Sequence, residues 1–178
     1  MCSSDLRLGE AKGAVELLLA DCYVRRDRVA LIAFRGRTAE LLLPPTRSLV
    51  RAKRSLAGLP GGGGTPLAAG IDAAFELADA IRRRGATPVV VVLTDGRANV
   101  GRDGIGGREH ASADAMAAAR RARAGRLTAL VLDTSPQAQR QARELAAEMG
   151  ATYLPLPHAG AAAVSQAVRI ATAAAGST

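Results

Sequence analysis

Two side chains in this sequence are placed to do chemistry. Asp95 closes the run Pro88-Val-Val-Val-Val-Leu-Thr-Asp-Gly, and Thr65 follows four consecutive glycines, Gly61 to Gly64. Asp95 falls at a strand exit, where chemistry or recognition is usually placed, and Thr65 presents a hydroxyl from a flexible turn at a helix start. Each also has a purely structural reading. Asp95-Gly96 can make a turn in which the aspartate bonds its own backbone, and Thr65 can cap a helix that has Pro66 in its first position. The glycine run is not a phosphate loop: that motif needs a lysine before the Ser or Thr, whereas here Gly64 precedes Thr65 and a proline follows. No nucleotide site is expected there. Asp133 ends the next apolar run and is the one candidate for a second acid, should Asp95 act as nucleophile or Mg²⁺ ligand in phosphoryl transfer. His110 and His158 are isolated, and Cys2 and Cys22 lack metal-ligand spacing.

These residues need a scaffold that brings them to one edge. The unbroken β-branched run before Asp95 predicts a central strand covered by helices on both faces. In open α/β sheets, binding groups collect outside the carboxyl ends of such strands. Further strands are expected at Arg28 to Arg35, at Thr38 to Leu43 ended by Pro44 and Pro45, at Leu127 to Leu132, and at Thr152 to Pro155. The short Arg35-Gly36-Arg37 link predicts a hairpin, whose second strand is an antiparallel edge. Helices are expected from Arg7 to about Cys22, Ser48 to Leu59, Pro66 to about Arg84, Ser112 or Asp114 to Gly125, Pro136 to Met149, and Gly160 to Ala175. The glycine-rich stretch from Val100 to Glu109 reads as a mobile surface loop beside Asp95. Residues 7–175 thus form one doubly wound α/β domain with a mostly parallel sheet. Residues 1–6 match no strand or helix pattern and read as a start foreign to it.

With 178 residues the chain is long enough for one buried core, and its 2% aromatic content makes that core aliphatic. No apolar run reaches the roughly 20 residues of a membrane span, and no secretory signal is visible. Two cysteines suit a reducing cytoplasm. The net charge of +8 comes almost entirely from arginines, grouped at Arg25 and Arg26, Arg82 to Arg84 and Arg120 to Arg126. No aromatics interleave them to stack bases, which argues against nucleic acid. An acidic protein partner fits better, because the charge would speed its approach.

The pairing Gly-Gly-Thr-Pro then Leu-Thr-Asp-Gly resembles the von Willebrand factor A, or integrin I, family, in which a threonine and an aspartate help hold a divalent ion at a metal-ion-dependent adhesion site. Three further stretches, Arg7 to Val15, Asp27 to Gly36 and Leu41 to Ser48, are similar to the carboxy-terminal domain of magnesium chelatase D subunits. That resemblance implies Mg²⁺ at Thr65 and Asp95, and a docking and coupling role rather than catalysis. It also implies partners: an AAA+ ATPase subunit and a porphyrin-binding subunit, engaged through an acidic side chain. Together these insert Mg²⁺ into protoporphyrin IX for chlorophyll or bacteriochlorophyll. Gly63, Gly64, Gly96, Asn99 and Asp103 would line the partner surface.

One departure from the family stands out. Its first strand, carrying an Asp-x-Ser-x-Ser motif, is absent; Ser3, Ser4 and Asp5 have the wrong order. Thr65 and Asp95 alone imply weak Mg²⁺ binding. In the family fold that strand lies between those at Val29 and Val89, so either these two pair directly or the chain is poorly stable. Two other classes remain: a von Willebrand factor A domain of another ATPase-associated or cobalt chelatase-like protein, and a Mg²⁺-dependent phosphoryl-transfer enzyme using Asp95.

Overall fold

The computed structural model of the chain describes residues 3–59, 62–156 and 161–175. Pro60, Gly61 and His158 lie outside the described residues. Among the described residues six helices and five strands follow in the order α1 (Ser3–Val24), β1 (Val29–Arg35), β2 (Thr38–Thr46), α2 (Leu49–Ala57), α3 (Leu67–Arg82), β3 (Val89–Thr94), α4 (Arg108–Ala124), β4 (Thr128–Asp133), α5 (Arg140–Met149), β5 (Thr152–Pro155) and α6 (Ala161–Ala175).

Strands β3, β4 and β5 form a parallel sheet in that order, with Thr94 opposite Asp133 and Asp133 opposite Pro155. Asp95 and Thr134 therefore leave at one edge. The valines of β3 alternate between faces. Val90 and Val92 join a core built with Ile71 and Phe75 of α3, the alanines of α4 and Leu145 of α5. Val89 and Val91 pack on the other side with Leu18 of α1 and Val168 of α6. Helices on both faces explain why this strand is apolar throughout rather than at every second residue.

β1 and β2 form a separate antiparallel pair. The direct pairing of the strands at Val29 and Val89 does not occur: the described residues form two sheets, and no ladder joins β1 to β3. Side chains bridge the halves instead. Phe34 of β1 packs on the core that holds Val90 and Val92. Leu93 of β3 joins a cluster of Val15 and Leu19 of α1 with Leu43, Ala52 and Leu56. Apolar burial thus joins the two sheets, between which the described residues form no ladder.

Four boundaries differ from the sequence expectation. The first helix begins at Ser3, inside the segment read as having no helical pattern. β2 runs on through Pro44 and Pro45 to Thr46, which pairs with Val29. An edge strand has one side free of ladder bonds, so the missing proline N–H groups cost it little. α4 starts at Arg108, capped by Gly107 rather than Ser112 or Asp114. Asp114 instead accepts from the Arg102 amide at 2.8 Å. α5 starts at Arg140 because the preceding residues wrap around Asp133.

Candidate functional site

The site is assembled from three loops at the carboxyl edge of the parallel sheet. Asp95 leaves β3 in a tight turn: its Oδ1 accepts from the Arg97 amide at 2.9 Å, and Thr94 Oγ1 accepts from the Gly96 amide at 3.0 Å. Gly96 holds φ 78, and a Cβ there would run into the backbone of Gln141 and Ala142. Only glycine fits this turn against α5. The turn reading of Asp-Gly is therefore correct for one carboxylate oxygen; Oδ2 accepts no hydrogen bond among the described residues.

Thr65 is held from the other side. Its amide donates to Asn99 Oδ1 at 2.6 Å, and the Asn99 amide donates back to the Thr65 carbonyl at 3.3 Å. This reciprocal bracket fastens the glycine loop to the segment leaving β3. A second fastening joins the Gly36 amide to the Gly64 carbonyl at 3.0 Å. A Cβ on Gly64 would collide with Gly36 and with Val100. Thr65 does not cap α3. Pro66 occupies the N-cap position, with no side-chain cap bond, and its carbonyl accepts from the Gly70 amide at 3.1 Å. The capping expectation is corrected by the bracket, which fixes the Thr65 backbone one residue away from the cap. The hydroxyl has no hydrogen-bond partner among the described residues.

The stretch after Asn99 folds into a compact turn. Val100 bridges Gly106, the Gly101 amide reaches the Ile105 carbonyl at 2.8 Å, and the Gly107 amide reaches the Asn99 carbonyl at 2.9 Å. Asp103 belongs to this turn rather than to the Thr65 bracket. Its Oδ1 accepts from the Ile105 amide at 2.9 Å, and its Oδ2 lies 3.3 Å from His110 Nε2. The Ile105 amide is the chief reason its carboxyl titrates below the ordinary 3.8, with His110 adding to it. Between the turn, Gly64 and the β1–β2 hairpin tip lies an open cleft of about 470 Å³, with Arg37 on its wall.

Asp133 is no second acid. It is fully buried, and its carboxylate accepts from the Ser135 amide (2.9 Å) and hydroxyl (2.5 Å), the Gln139 amide (3.0 Å) and the Tyr153 hydroxyl (2.7 Å). Burial opposes its charge, but those four donors outweigh it and hold the carboxyl below 3.8. With four donors already on it, it is a structural knot that ties β4, β5 and the start of α5.

The structure thus joins Gly64 and Thr65 to Gly36 and Asn99, with Gly63 beside Gly36, and places Asp95 and Gly96 at the exit of β3 on the chain segment that leads to Asn99. The residue types fit a hard cation: an uncommitted hydroxyl and an uncommitted carboxylate oxygen. They are few, however. No group of three or more His, Cys, Asp or Glu side chains able to hold a metal occurs among the described residues. Sequence reasoning passed over Thr94, whose position before Asp-Gly is a Ser/Thr-turn signal. It also passed over Gly36, whose docking on Gly64 leaves no local trace.

Comparison with known proteins identifies the fold family. The family model for the von Willebrand factor type A domain matches residues 1–97. The chain is 54% identical over 159 residues to the magnesium-chelatase 60 kDa subunit of Cereibacter sphaeroides, and 50% identical over 155 residues to that of Rhodobacter capsulatus. These matches cover 89% and 87% of the chain and 28% of each relative. The 67 kDa subunit of Chlorobaculum tepidum is 39% identical over 171 residues, with 90% and 28% covered. The chain therefore spans under a third of the length of these relatives. Among solved structures, BatB from Bacteroides thetaiotaomicron superposes with a TM-score of 0.66 at 19% identity, covering 93% of this chain and 88% of that one. The SpRpn10 VWA domain gives 0.61 at 12% identity, covering 91% and 82%. Among the described residues no helix is long and apolar enough to cross a membrane. On this fold, and on the family match over more than half its length, the chain belongs to the von Willebrand factor type A domain family.

Proposed function

We propose that this chain is the metal-site domain of a magnesium chelatase D subunit, a docking and coupling module rather than the catalyst. It would work with an AAA+ ATPase subunit and a porphyrin-binding subunit that together insert Mg²⁺ into protoporphyrin IX. The observation that carries this is the 54% identity to a magnesium-chelatase 60 kDa subunit across nearly the whole chain. The geometry supports it: the bracket offers the Thr65 hydroxyl beside the loop that follows Asp95, and among the described residues that hydroxyl and Asp95 Oδ2 have no hydrogen-bond partner.

In this reading a resident Mg²⁺, distinct from the Mg²⁺ that is cargo, sits on Thr65 and Asp95 and presents its open positions to an acidic side chain of a partner. Gly63, Gly64 and Gly96 keep the approach free of side chains, and Asn99 and Asp103 flank it. Two protein oxygens fall short of an octahedral shell, so the ion binds weakly here unless more ligands are added. A further strand bearing ligands would find an open edge on β1 and on β3, each at the end of its sheet's strand order.

Phosphoryl transfer is disfavoured by the commitment of Asp133 to four donors. The other reading, a domain of a cobalt chelatase-like or other ATPase-associated protein, shares the ion site and is separated by the partner it takes. The test is Mg²⁺-dependent binding of the chain to the AAA+ subunit of a magnesium chelatase. Binding lost with EDTA or with Asp95→Ala supports the reading. Metal-independent binding, or none in a complex assembled from whole subunits, overturns it.

A further inference from the structure

β3 and β4 are parallel, so α4 between them runs antiparallel to both and ends at the sheet's amino edge, opposite Thr65 and Asp95. α3 ends at the same place: Arg82 Nη1 donates to the Gly125 carbonyl at 2.7 Å. Cations at helix carboxyl ends suit the helix dipole, and most of these are also neutralised by acids. Arg82 and Arg83 pair with Asp79, each at 2.6 Å, Arg121 with Asp72 at 2.6 Å, and Arg120 with Glu148 at 2.9 Å.

Arg123 and Arg126, with Arg84, fall outside that pattern, and Arg123 and Arg126 share a cleft. Neither has a carboxylate partner among the described residues, and both line an open cleft of about 420 Å³ at the start of β4 and β5. Arg123 lies along Gly150, whose φ of 66 and missing side chain leave it room: a Cβ there would stand 3.4 Å from Arg123 Cγ. Arg126 holds φ 52, a conformation that glycine usually fills after a helix. Thr128 and Thr152 add two hydroxyls without hydrogen-bond partners among the described residues, and buried Met149 lies on the floor.

We propose that this cleft is a docking site for an acidic segment of a partner protein, separate from the Thr65 and Asp95 edge. Two guanidinium groups with no acid of their own are forked donors matched to carboxylates. The end of α4 presents carbonyls rather than amides, so the amide cradle that favours a compact phosphate is lacking and recognition rests on side chains. A predominantly polar, open cleft carrying two guanidinium groups and two threonine hydroxyls suits an extended acidic polypeptide. The net charge of +8 favours its capture.

The test measures binding of a fluorescein-labelled oligoglutamate peptide at low salt. Arg123→Ala with Arg126→Gly, which removes both charges without backbone strain at 126, should weaken binding about tenfold or more. Arg51→Ala with Arg54→Ala on α2, which removes the same net charge elsewhere, should change it by less than about twofold. Amide shifts on titration should centre on Gly150 and Thr152, and lysine at both positions should restore part of the affinity. Equal losses in the two double variants would mean unspecific attraction and overturn the proposal. Shifts centred on Thr65 instead would overturn it too. Inorganic tripolyphosphate binding this cleft more tightly than the peptide would make it a phosphate site.

Discussion

The Thr65 amide and the Asn99 side chain meet at 2.6 Å, and the Asn99 amide returns a bond to the Thr65 carbonyl at 3.3 Å. One asparagine thus ties a glycine loop, which has little conformational preference of its own, to the exit of the central strand. The bracket uses the backbone of Thr65 and leaves its hydroxyl available. Asn99→Leu should cost about 0.5 to 1.5 kcal/mol in urea unfolding, since it exchanges this bond to the Thr65 N–H for one to water, and amide exchange at residues 63–65 should accelerate. Asn99→Asp, which keeps the acceptor, should retain most of the protection.

At the neighbouring turn, Gly96→Ala tests the other half of the site. The substitution places a Cβ against the α5 backbone and imposes a left-handed φ on alanine. A loss of about 3 kcal/mol or more is expected, which for a domain this size lowers the melting temperature by roughly 6 to 12 °C. A scanning calorimetry shift of less than about 2 °C would contradict the packing of this turn.

Asp133 sets a pH dependence of stability. Its folded carboxyl lies below the ordinary 3.8, so the stabilisation is fully present above that value and is lost as the pH falls through the depressed folded value. Urea midpoints should therefore fall steeply below about pH 4 in the parent chain. Asp133→Asn should be less stable by about 2 to 4 kcal/mol near neutral pH, with a flatter acid limb. An acid limb of equal slope in both proteins would assign the effect to other carboxylates.

Thr65→Ala and Asp95→Ala should separate binding from folding. Neither the Thr65 hydroxyl nor Asp95 Oδ2 has a partner among the described residues, so Thr65→Ala should move stability by less than about 0.5 kcal/mol. Asp95→Ala should cost about 1 kcal/mol for the lost bond to the Arg97 amide. Both should nevertheless weaken Mg²⁺-dependent partner binding about tenfold or more. Isothermal titration with EDTA controls measures the first quantity against the second.

The absence of a ladder between the two sheets among the described residues bears on the whole molecule. Two short sheets joined by side-chain packing lack the ladder bonds that would make them one cooperative unit. The chain should therefore melt below about 45 °C with a broad transition. Amides of β1, which pairs only with β2, should on average exchange faster than those of β4, which is paired on both sides. A sharp transition above about 65 °C would show that packing through Phe34 and Leu93 suffices.

By itself the sequence determined what depends on neighbours along the chain. The unbroken run at Val89 to Thr94 announces a strand covered on both faces. Gly36 and Gly150, at φ 65 and 66, end elements where glycine signals predict. The Asp95-Gly96 turn is legible in the dipeptide. Tertiary structure decided what depends on distant partners. Thr65 and Pro66 make a good helix start on paper, yet Asn99, thirty-four residues away, takes the Thr65 amide. Ser112 and Asp114 look like caps, but Arg102 draws Asp114 into the loop and α4 starts earlier. Pro44 and Pro45 look like a stop, and the strand passes through them because its outer edge is unpaired. Propensity is a difference of a kilocalorie or less per residue, and one long-range hydrogen bond or a free sheet edge is enough to override it.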